Sequence, residues 1–171
     1  MDDASNLPED IGIPIKRAAI LSLSQLNDGL LKSVRKDFDI VFVQGGDISI
    51  NKEIVRYPVD FILDPVTSAR VGVDEPTISV AKEKGVRFAY SLASLRDMPP
   101  FTRAITLGKM NFLNRLLLKQ KWLPFVFSFA RTSFELRDHR DLKALLVSTG
   151  IPEEFLSNQG KYLYEVFFSE S

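Results

Sequence analysis

The sequence contains no cysteine and only one histidine, His139. The absence of cysteine excludes disulfides, zinc–thiolate sites, iron–sulfur clusters and cysteine nucleophiles, and it agrees with a reducing cytoplasm. A metal hydrolase needs several histidine or carboxylate ligands held together, which a lone histidine does not supply. A Ser-His-Asp triad would have to use His139, and no G-x-S-x-G sequence is present to partner it. The sequence therefore indicates no catalytic and no metal-binding residues.

Long apolar runs are also missing. No stretch approaches the roughly 18 apolar residues of a membrane-spanning helix, so no membrane partner is expected. The acidic start, Met1–Asn6, lacks the apolar core of a signal peptide. No phosphate-binding G-x-x-x-x-G-K-[ST] loop occurs, and Gly45-Gly46 lacks the third glycine of a dinucleotide fingerprint. The composition, with 45% hydrophobic and 26% charged residues, is that of an ordinary globular protein.

Short apolar strands alternate with helices along the chain. The predicted strands are Ala18–Leu21, Ile40–Val43, Phe61–Leu63, Val86–Tyr90 and Pro124–Ser128. The predicted helices are Ser24–Lys36, a helix capped by Asp47 or Ser49 and ending at Arg56, Asp74–Gly85, Thr102–Gln120, Asp138–Gly150 and Pro152–Asn158. This alternation implies a parallel sheet, and the uniformly apolar strands imply that both of its faces are covered. Periodicity leaves two architectures open, a doubly wound sheet and a (β/α) barrel.

We expect residues 1–171 to form a single α/β domain, because the length fits one domain and no repeat or linker divides it. Residues 1–14 contain two prolines and a glycine without periodicity, which predicts a loop or arm. An apolar stretch, Tyr162–Phe168, lies near the other end of the chain.

The net charge of zero conceals a basic segment. Residues 96–143 hold 10 basic and 4 acidic side chains, a net charge of +6, whereas residues 1–95 and 144–171 each carry −3. Because arginine matches the geometry of phosphate, this segment either binds phosphate groups or consists of cations that solvate helix faces. The residues predicted to contact RNA phosphates are Arg103, Arg115, Lys119, Arg137 and Arg140. Three phenylalanines between these cations, Phe101, Phe129 and Phe134, are candidates for stacking on bases or for the core.

Several segments resemble a known family when they are taken in order. They are Asp39–Asp47, Val59–Pro65, Gly72–Asp74, Ser128–Ala130, Glu135–Leu142 and the residues Leu145, Leu146, Gly150 and Ile151. Together they resemble protein component 3 of ribonuclease P, of the archaeal and eukaryotic type. The chain departs from the family at Phe129, which stands in place of a glycine. Its N-terminus is also shorter, so the barrel is expected to be incomplete there unless Ile11–Ile15 adds a strand.

The resemblance implies a TIM-barrel-like fold of the polymerase-and-histidinol-phosphatase type that lacks the metal ligands of that type. It implies a subunit of ribonuclease P, which supports the catalytic RNA in removing the 5′ leader of precursor tRNA in the cytoplasm. Catalysis is then expected from the RNA, which would carry magnesium, and this chain would bind no cofactor of its own. The implied partners are the ribonuclease P RNA, protein component 2 and other protein subunits, and precursor tRNA through the complex.

The residues leave two other functions open. One is a metal-dependent phosphoesterase on the same barrel, which would use Asp47, Asp64 or His139. Asp47, Asp64 and Asp74 follow strands or begin helices, where barrel enzymes place their active sites, but each also suits a helix cap or a turn. The other is a protein-interaction scaffold that makes no contact with RNA.

Overall fold

The structure, a computed structural model, describes residues 16–156 and Leu163. The strands of this part are β1 (Ala18–Leu21), β2 (Ile40–Gln44), β3 (Phe61–Leu63), β4 (Arg87–Ser91) and β5 (Phe125–Phe127). Its α-helices are α1 (Asp28–Asp37), α2 (Ile48–Ile54), α3 (Glu75–Lys84), α4 (Leu92–Asp97), α5 (Pro100–Lys119) and α6 (His139–Ser148). Short 3₁₀ turns lie at Leu23–Gln25, Ser133–Glu135 and Glu153–Leu156. Among the helices described, none combines the length and apolarity needed to cross a bilayer.

The strands form one parallel sheet in the sequential order β1-β2-β3-β4-β5. The register places Ala18 opposite Ile40 and Phe61 opposite Arg87. A doubly wound sheet reverses its strand order at a switch point, so this order excludes that alternative for the described strands. Right-handed crossovers between sequential parallel strands place the connecting helices on one face. The observed sheet is therefore singly wound and compatible with a (β/α) barrel-like fold.

The two faces of the sheet belong to two separate apolar clusters. Val43, Ile62 and Phe88 point towards the helices and share the larger core with helix side chains such as Ile78 and Leu113, all of them almost fully buried. The opposite, inner face carries a second cluster of Phe42, Phe61, Leu63, Ala89 and Phe125, with Phe127, Phe129 and Leu163 packed against it. The centroids of the Phe42 and Phe61 rings lie 4.9 Å apart. Strands that alternate between two apolar environments explain why no polar face was visible in the sequence.

All five predicted strands are confirmed, and the differences concern helix ends. The long helix begins at Pro100 rather than after Thr102, because proline is suited to the first helical position. Asn27, not Ser24, caps α1 by accepting a hydrogen bond from the amide of Leu30. The helix α4, which directly follows β4, was missed because its six residues show no helical periodicity.

Some predictions fall outside the described residues. They concern the arm at residues 1–14, the strand at Ile11–Ile15 and, apart from Leu163, the stretch Tyr162–Phe168. The helix predicted for Pro152–Asn158 is a 3₁₀ turn at Glu153–Leu156, as far as it is described.

Candidate functional site

The carboxyl edge of the sheet, where each strand ends and leads to the next helix, is where barrel enzymes place their active sites. Asp64 follows β3 at this edge with a φ of 51°. Its carboxylate accepts a hydrogen bond of 2.8 Å from the amide of Ser91. Burial raises the pKa of Asp64 above its usual value, and the bond from Ser91 only partly offsets that effect. Asp64 therefore joins the ends of β3 and β4.

A buried amide holds together the loops that follow β2 and β3. The side chain of Asn51 is fully buried, accepts a hydrogen bond from the amide of Gly46, and donates to the carbonyls of Gly46, Gly72 and Pro65. A Cβ atom on Gly72 would collide with the carbonyl oxygen of Gly46 and with the Asn51 amide. Gly72 is thus required by close packing between these loops. The sequence did not single out Asn51, because a polar residue inside a helix usually faces solvent.

Two of the three aspartates noted at this edge in the sequence, Asp47 and Asp74, are engaged as helix caps. Asp47 accepts hydrogen bonds from the amides of Ser49 and Ile50 at the start of α2. The hydrogen bond from the Ser49 hydroxyl is the largest cause of the lowered pKa of Asp47, and the two amide bonds lower it further. Asp74 caps α3 through the amide of Thr77 and forms an ion pair of 2.8 Å with Lys52.

Partial burial would raise the pKa of Asp74, but Lys52 and the bonds from Thr77 outweigh it and lower that pKa. Within residues 16–156, no three histidine, cysteine or carboxylate side chains lie close enough to hold a metal ion.

An ionic network secures the loop between β5 and α6. Arg96 pairs with Asp97 at 2.9 Å and with Glu135 at 3.0 Å, and Arg131 pairs with Asp97 at 2.9 Å. The guanidinium of Arg96 is the main cause of a lowered pKa at Asp97, and the amide of Arg131 is the main cause at Glu135. Two of the basic residues in the basic segment are thus neutralised by acidic neighbours.

One of the predicted phosphate ligands, Arg103, has its side chain directed into the protein. Arg103 is half-buried, and its guanidinium donates hydrogen bonds of 2.7 and 2.9 Å to the carbonyls of Arg96 and Met98. These bonds secure the junction between α4 and α5. Contact between Arg103 and RNA remains a prediction that this geometry does not favour.

The other four predicted ligands are exposed but form two separate groups. Arg115 and Lys119 share the outer face of α5, where Arg115 has no charged partner among the described residues and Lys119 pairs with Glu75 at 3.2 Å. Arg137 and Arg140 lie beside the start of α6.

Asp138 is the N-cap of α6, as predicted, and accepts a hydrogen bond of 2.9 Å from the amide of Asp141. Arg137 donates to the carbonyls of Phe134 and Leu136, and Arg140 lies 3.6 Å from Asp138 with its side chain 91% exposed. These two arginines thus lie at the carboxyl edge, whereas the last turn of α5 lies at the other end of the strands.

The three candidate stacking phenylalanines also separate. Phe129 belongs to the inner aromatic cluster, with its ring centroid 5.3 Å from that of Phe42. Its φ of 46° is a conformation that favours glycine, which explains the glycine that the resembling family has at this place. Phe101 and Phe134 are 78% and 91% exposed, so only these two remain available for contact with a partner.

The amino-acid sequence matches that of curated proteins over two thirds of the chain. It is 32% identical over 117 residues to the ribonuclease P protein component 3 of Thermococcus gammatolerans, a match that covers 67% of this chain and 55% of the relative. The identity to the protein of the same name from Thermococcus kodakarensis is also 32%, covering 67% and 53% of the two chains. For the one from Methanococcoides burtonii it is 30% over 129 residues, covering 74% and 53%. The chain spans about half the length of these relatives.

The fold also matches a solved structure. One chain in the cryo-EM structure of archaeal ribonuclease P with mature tRNA superposes with a TM-score of 0.74, covering 91% of this chain and 69% of that chain at 18% identity. No protein-family model matches the sequence. From the named relatives, and from the agreement in fold, the chain belongs to the family of ribonuclease P protein component 3.

Proposed function

We propose that the chain is a protein subunit of ribonuclease P and supports the catalytic RNA in removing the 5′ leader of precursor tRNA. The observation that carries the proposal is the match, at 32% identity over 117 residues, to proteins named as component 3 of that enzyme. The similarity in fold to a chain of an archaeal ribonuclease P bound to tRNA supports it. Precursor tRNA would be bound through the complex, in the cytoplasm.

Catalysis in this proposal comes from the RNA, with magnesium bound there and no cofactor held by this chain. The geometry supports this division of labour, because Asp47 and Asp74 cap helices and Asp64 joins strand ends. A phosphoesterase would need these carboxylates free to hold a metal. The phosphoesterase alternative therefore has no observation in its favour.

The finer fold in this proposal is the barrel of the polymerase-and-histidinol-phosphatase type. The sequential parallel order of the strands supports it, as does the separation of a helix-covered outer face from an aromatic inner face. An experimental structure of the whole complex would show whether further strands close the sheet.

Protein component 2 is the proposed protein partner, and the outer face of α5 is a suitable surface for it. Phe101 and Phe112 are 78% and 62% exposed on this face. Gly108 lies between them, with open space where a side chain would be. Two exposed aromatic rings around a glycine suit the close approach of an apolar segment from another protein, and the neighbouring Arg115 suits an acidic residue on it.

Reconstitution tests the proposal directly. Precursor tRNA is incubated with magnesium and the chain alone, with the ribonuclease P RNA and its other protein subunits, and with all of them together. We expect no cleavage by the chain alone and faster cleavage when it completes the mixture. Cleavage that persists after rigorous removal of RNA would overturn the division of labour. An unchanged rate with the chain present would favour the scaffold alternative.

Gel filtration of the chain mixed with component 2 tests the protein contact. The double variant Phe101→Ser with Phe112→Ser should lose co-elution, because both apolar anchors are gone. Val147→Ser, which changes an exposed residue on α6, is the matched control and should co-elute like the wild type. Equal co-elution of the double variant would place the contact elsewhere.

A further inference from the structure

The amino edge of the sheet, opposite the carboxyl edge, collects the last turns of four helices and the loops that lead to the next strands. Strands and helices alternate in direction, so the carboxyl ends of α1, α2, α3 and α5 all lie here. From these last turns to the first residue of each following strand, the sequence has nine basic and five acidic residues, a net charge of +4. The basic residues are Arg35, Lys36, Lys52, Arg56, Lys82, Lys84, Arg87, Lys119 and Lys121.

Two lysines of α3 connect three helix ends at this edge. The ammonium of Lys84 donates a hydrogen bond of 2.7 Å to the carbonyl of Arg56, beyond the end of α2. The ammonium of Lys82 donates one of 3.1 Å to the carbonyl of Gln120, at the end of α5. Both side chains are exposed. A carbonyl carries no net charge, so it orients an ammonium group without compensating its positive charge.

Other cations at the amino edge are neutralised by carboxylates. Arg35 pairs with Asp60 at 2.7 Å, and Arg56 pairs with Glu53 at 3.1 Å. Lys52 and Lys119 pair with Asp74 and Glu75 at the start of α3.

Lys121, in contrast, directly follows Gln120, is exposed with a φ of 53°, and has no acidic partner within the described residues. Of the cations that have no acidic partner within the described residues, Lys36 lies at the end of α1, whereas Lys82, Lys84 and Lys121 lie together where α3 meets the end of α5, with Glu83 between the first two.

Basic residues in the last turn of a helix stabilise its dipole, and this alone accounts for cations at helix ends. It does not account for Lys82 and Lys84 reaching across to the carbonyl ends of two neighbouring helices. From this arrangement we infer that Lys82, Lys84 and Lys121 form a binding surface for the phosphate backbone of an RNA. The inference rests on the proposed function and names the surface through which the chain meets the catalytic RNA.

The chemistry of this surface predicts how it recognises RNA. Lysine ammonium groups are compact point charges that contact phosphates without reading bases. Binding should therefore depend on RNA shape and backbone rather than on base identity, and it should weaken steeply with salt. None of the three lysines was among the predicted ligands, because two of them lie in the half of the sequence that carries a net negative charge.

Salt-dependent binding tests the inference. The full chain is titrated with the ribonuclease P RNA of Thermococcus kodakarensis, the source of one relative, at several potassium concentrations, and the slope of log affinity against log salt is measured. The variant is Lys82→Gln with Lys84→Gln and Lys121→Gln, in which glutamine can still donate to the carbonyls. The control, Lys32→Gln with Lys109→Gln and Lys143→Gln, removes the same charge away from the amino edge. Melting temperatures confirm that all three proteins are folded.

We expect the amino-edge variant to flatten the slope by about 2–3 units, because each lost phosphate contact removes about 0.9 unit. The control should keep the slope of the wild type. If the wild type binds with a steep slope and the amino-edge variant keeps that slope, the inference is overturned and the proposed function stands. If the wild type itself shows no binding to this RNA at any of the salt concentrations, the proposed function fails as well.

Discussion

The two edges of the sheet carry opposite charge and use it differently. From each strand end to the first turn of the next helix, the carboxyl edge has four basic and eight acidic residues, a net charge of −4, against +4 at the amino edge. At the carboxyl edge the acids cap helices, join strands or pair with arginines, as Asp138, Asp64 and Glu135 do. At the amino edge, Lys82 and Lys84 bind carbonyls and stay charged.

The comparison shows that the carboxyl edge of a parallel sheet need not keep its polar groups free. The carboxyl edge, where barrel enzymes act, uses its polar groups for its own structure in this chain. The amino edge of such folds usually serves stability, but in this chain it carries lysines that have no acidic partner within the described residues. Substitutions should therefore affect stability at the carboxyl edge and binding at the amino edge.

The largest effect should follow from changing Gly72 at the carboxyl edge. Gly72→Ala forces a Cβ against the carbonyl of Gly46 and the buried amide of Asn51, so the free energy of unfolding should fall by about 3 kcal/mol. Gly108→Ala is the matched control, because its Cβ enters open space within a helix, and it should stabilise the protein by about 1 kcal/mol. Urea unfolding measures both. A Gly72→Ala protein as stable as the wild type would show that the loops are not tightly packed.

A smaller effect should separate two variants of Phe129, directly after β5. Both Phe129→Ala and Phe129→Gly remove the ring from the aromatic cluster, and both should be less stable than the wild type. The glycine variant should be more stable than the alanine variant by about 1 kcal/mol, because only alanine keeps a side chain at a φ of 46°. Thermal unfolding of the pair compares them. Equal stabilities would mean that this backbone is not strained.

Replacing Asp64 should change how the stability of the protein depends on pH. Because burial raises its pKa in the folded state, the folded protein binds a proton more readily than the unfolded chain. Asp64 should therefore lower the stability at neutral pH, and this effect should shrink as the pH falls through its raised pKa and vanish below its pKa in the unfolded chain. Asp64→Asn removes this dependence and can still accept the bond from Ser91.

Urea unfolding at pH 7 and pH 5 measures the difference. The wild type should gain stability relative to Asp64→Asn on acidification. Parallel changes in the two proteins would contradict the raised pKa.

The smallest effect on stability should come from the amino edge. Lys82→Gln and Lys84→Gln should each change the free energy of unfolding by no more than about 0.5 kcal/mol, because both side chains are exposed and glutamine keeps a donor. Thermal unfolding at low and high salt measures this. A large loss of stability in either variant would mean that the lysines serve the fold, and it would remove the contrast between the edges.

The sequence alone determined the local elements of this protein. Apolar runs such as Ile40–Val43 predicted all five strands, and Asp74 and Asp138 predicted helix caps, because capping and strand formation depend on neighbours within a few residues. The stripe of Met110, Leu113 and Leu117 predicted the buried side of α5, which the structure confirms. The resemblance carried by Asp39–Asp47 and the later segments identified the family, which the named relatives confirm.

Only the tertiary structure decided which charged groups are free. The sequence alone indicates surface cations at Arg96, Arg103 and Arg131. In the structure, each is bonded to a partner that lies 5 to 39 residues away in the chain. Lys82 and Lys84 reach Gln120 and Arg56 across 38 and 28 residues. The sequential strand order, which excluded the doubly wound alternative, is likewise a matter of pairing between distant segments. Charge and pairing act through space, so a count along the sequence finds cations but not the partners that neutralise them.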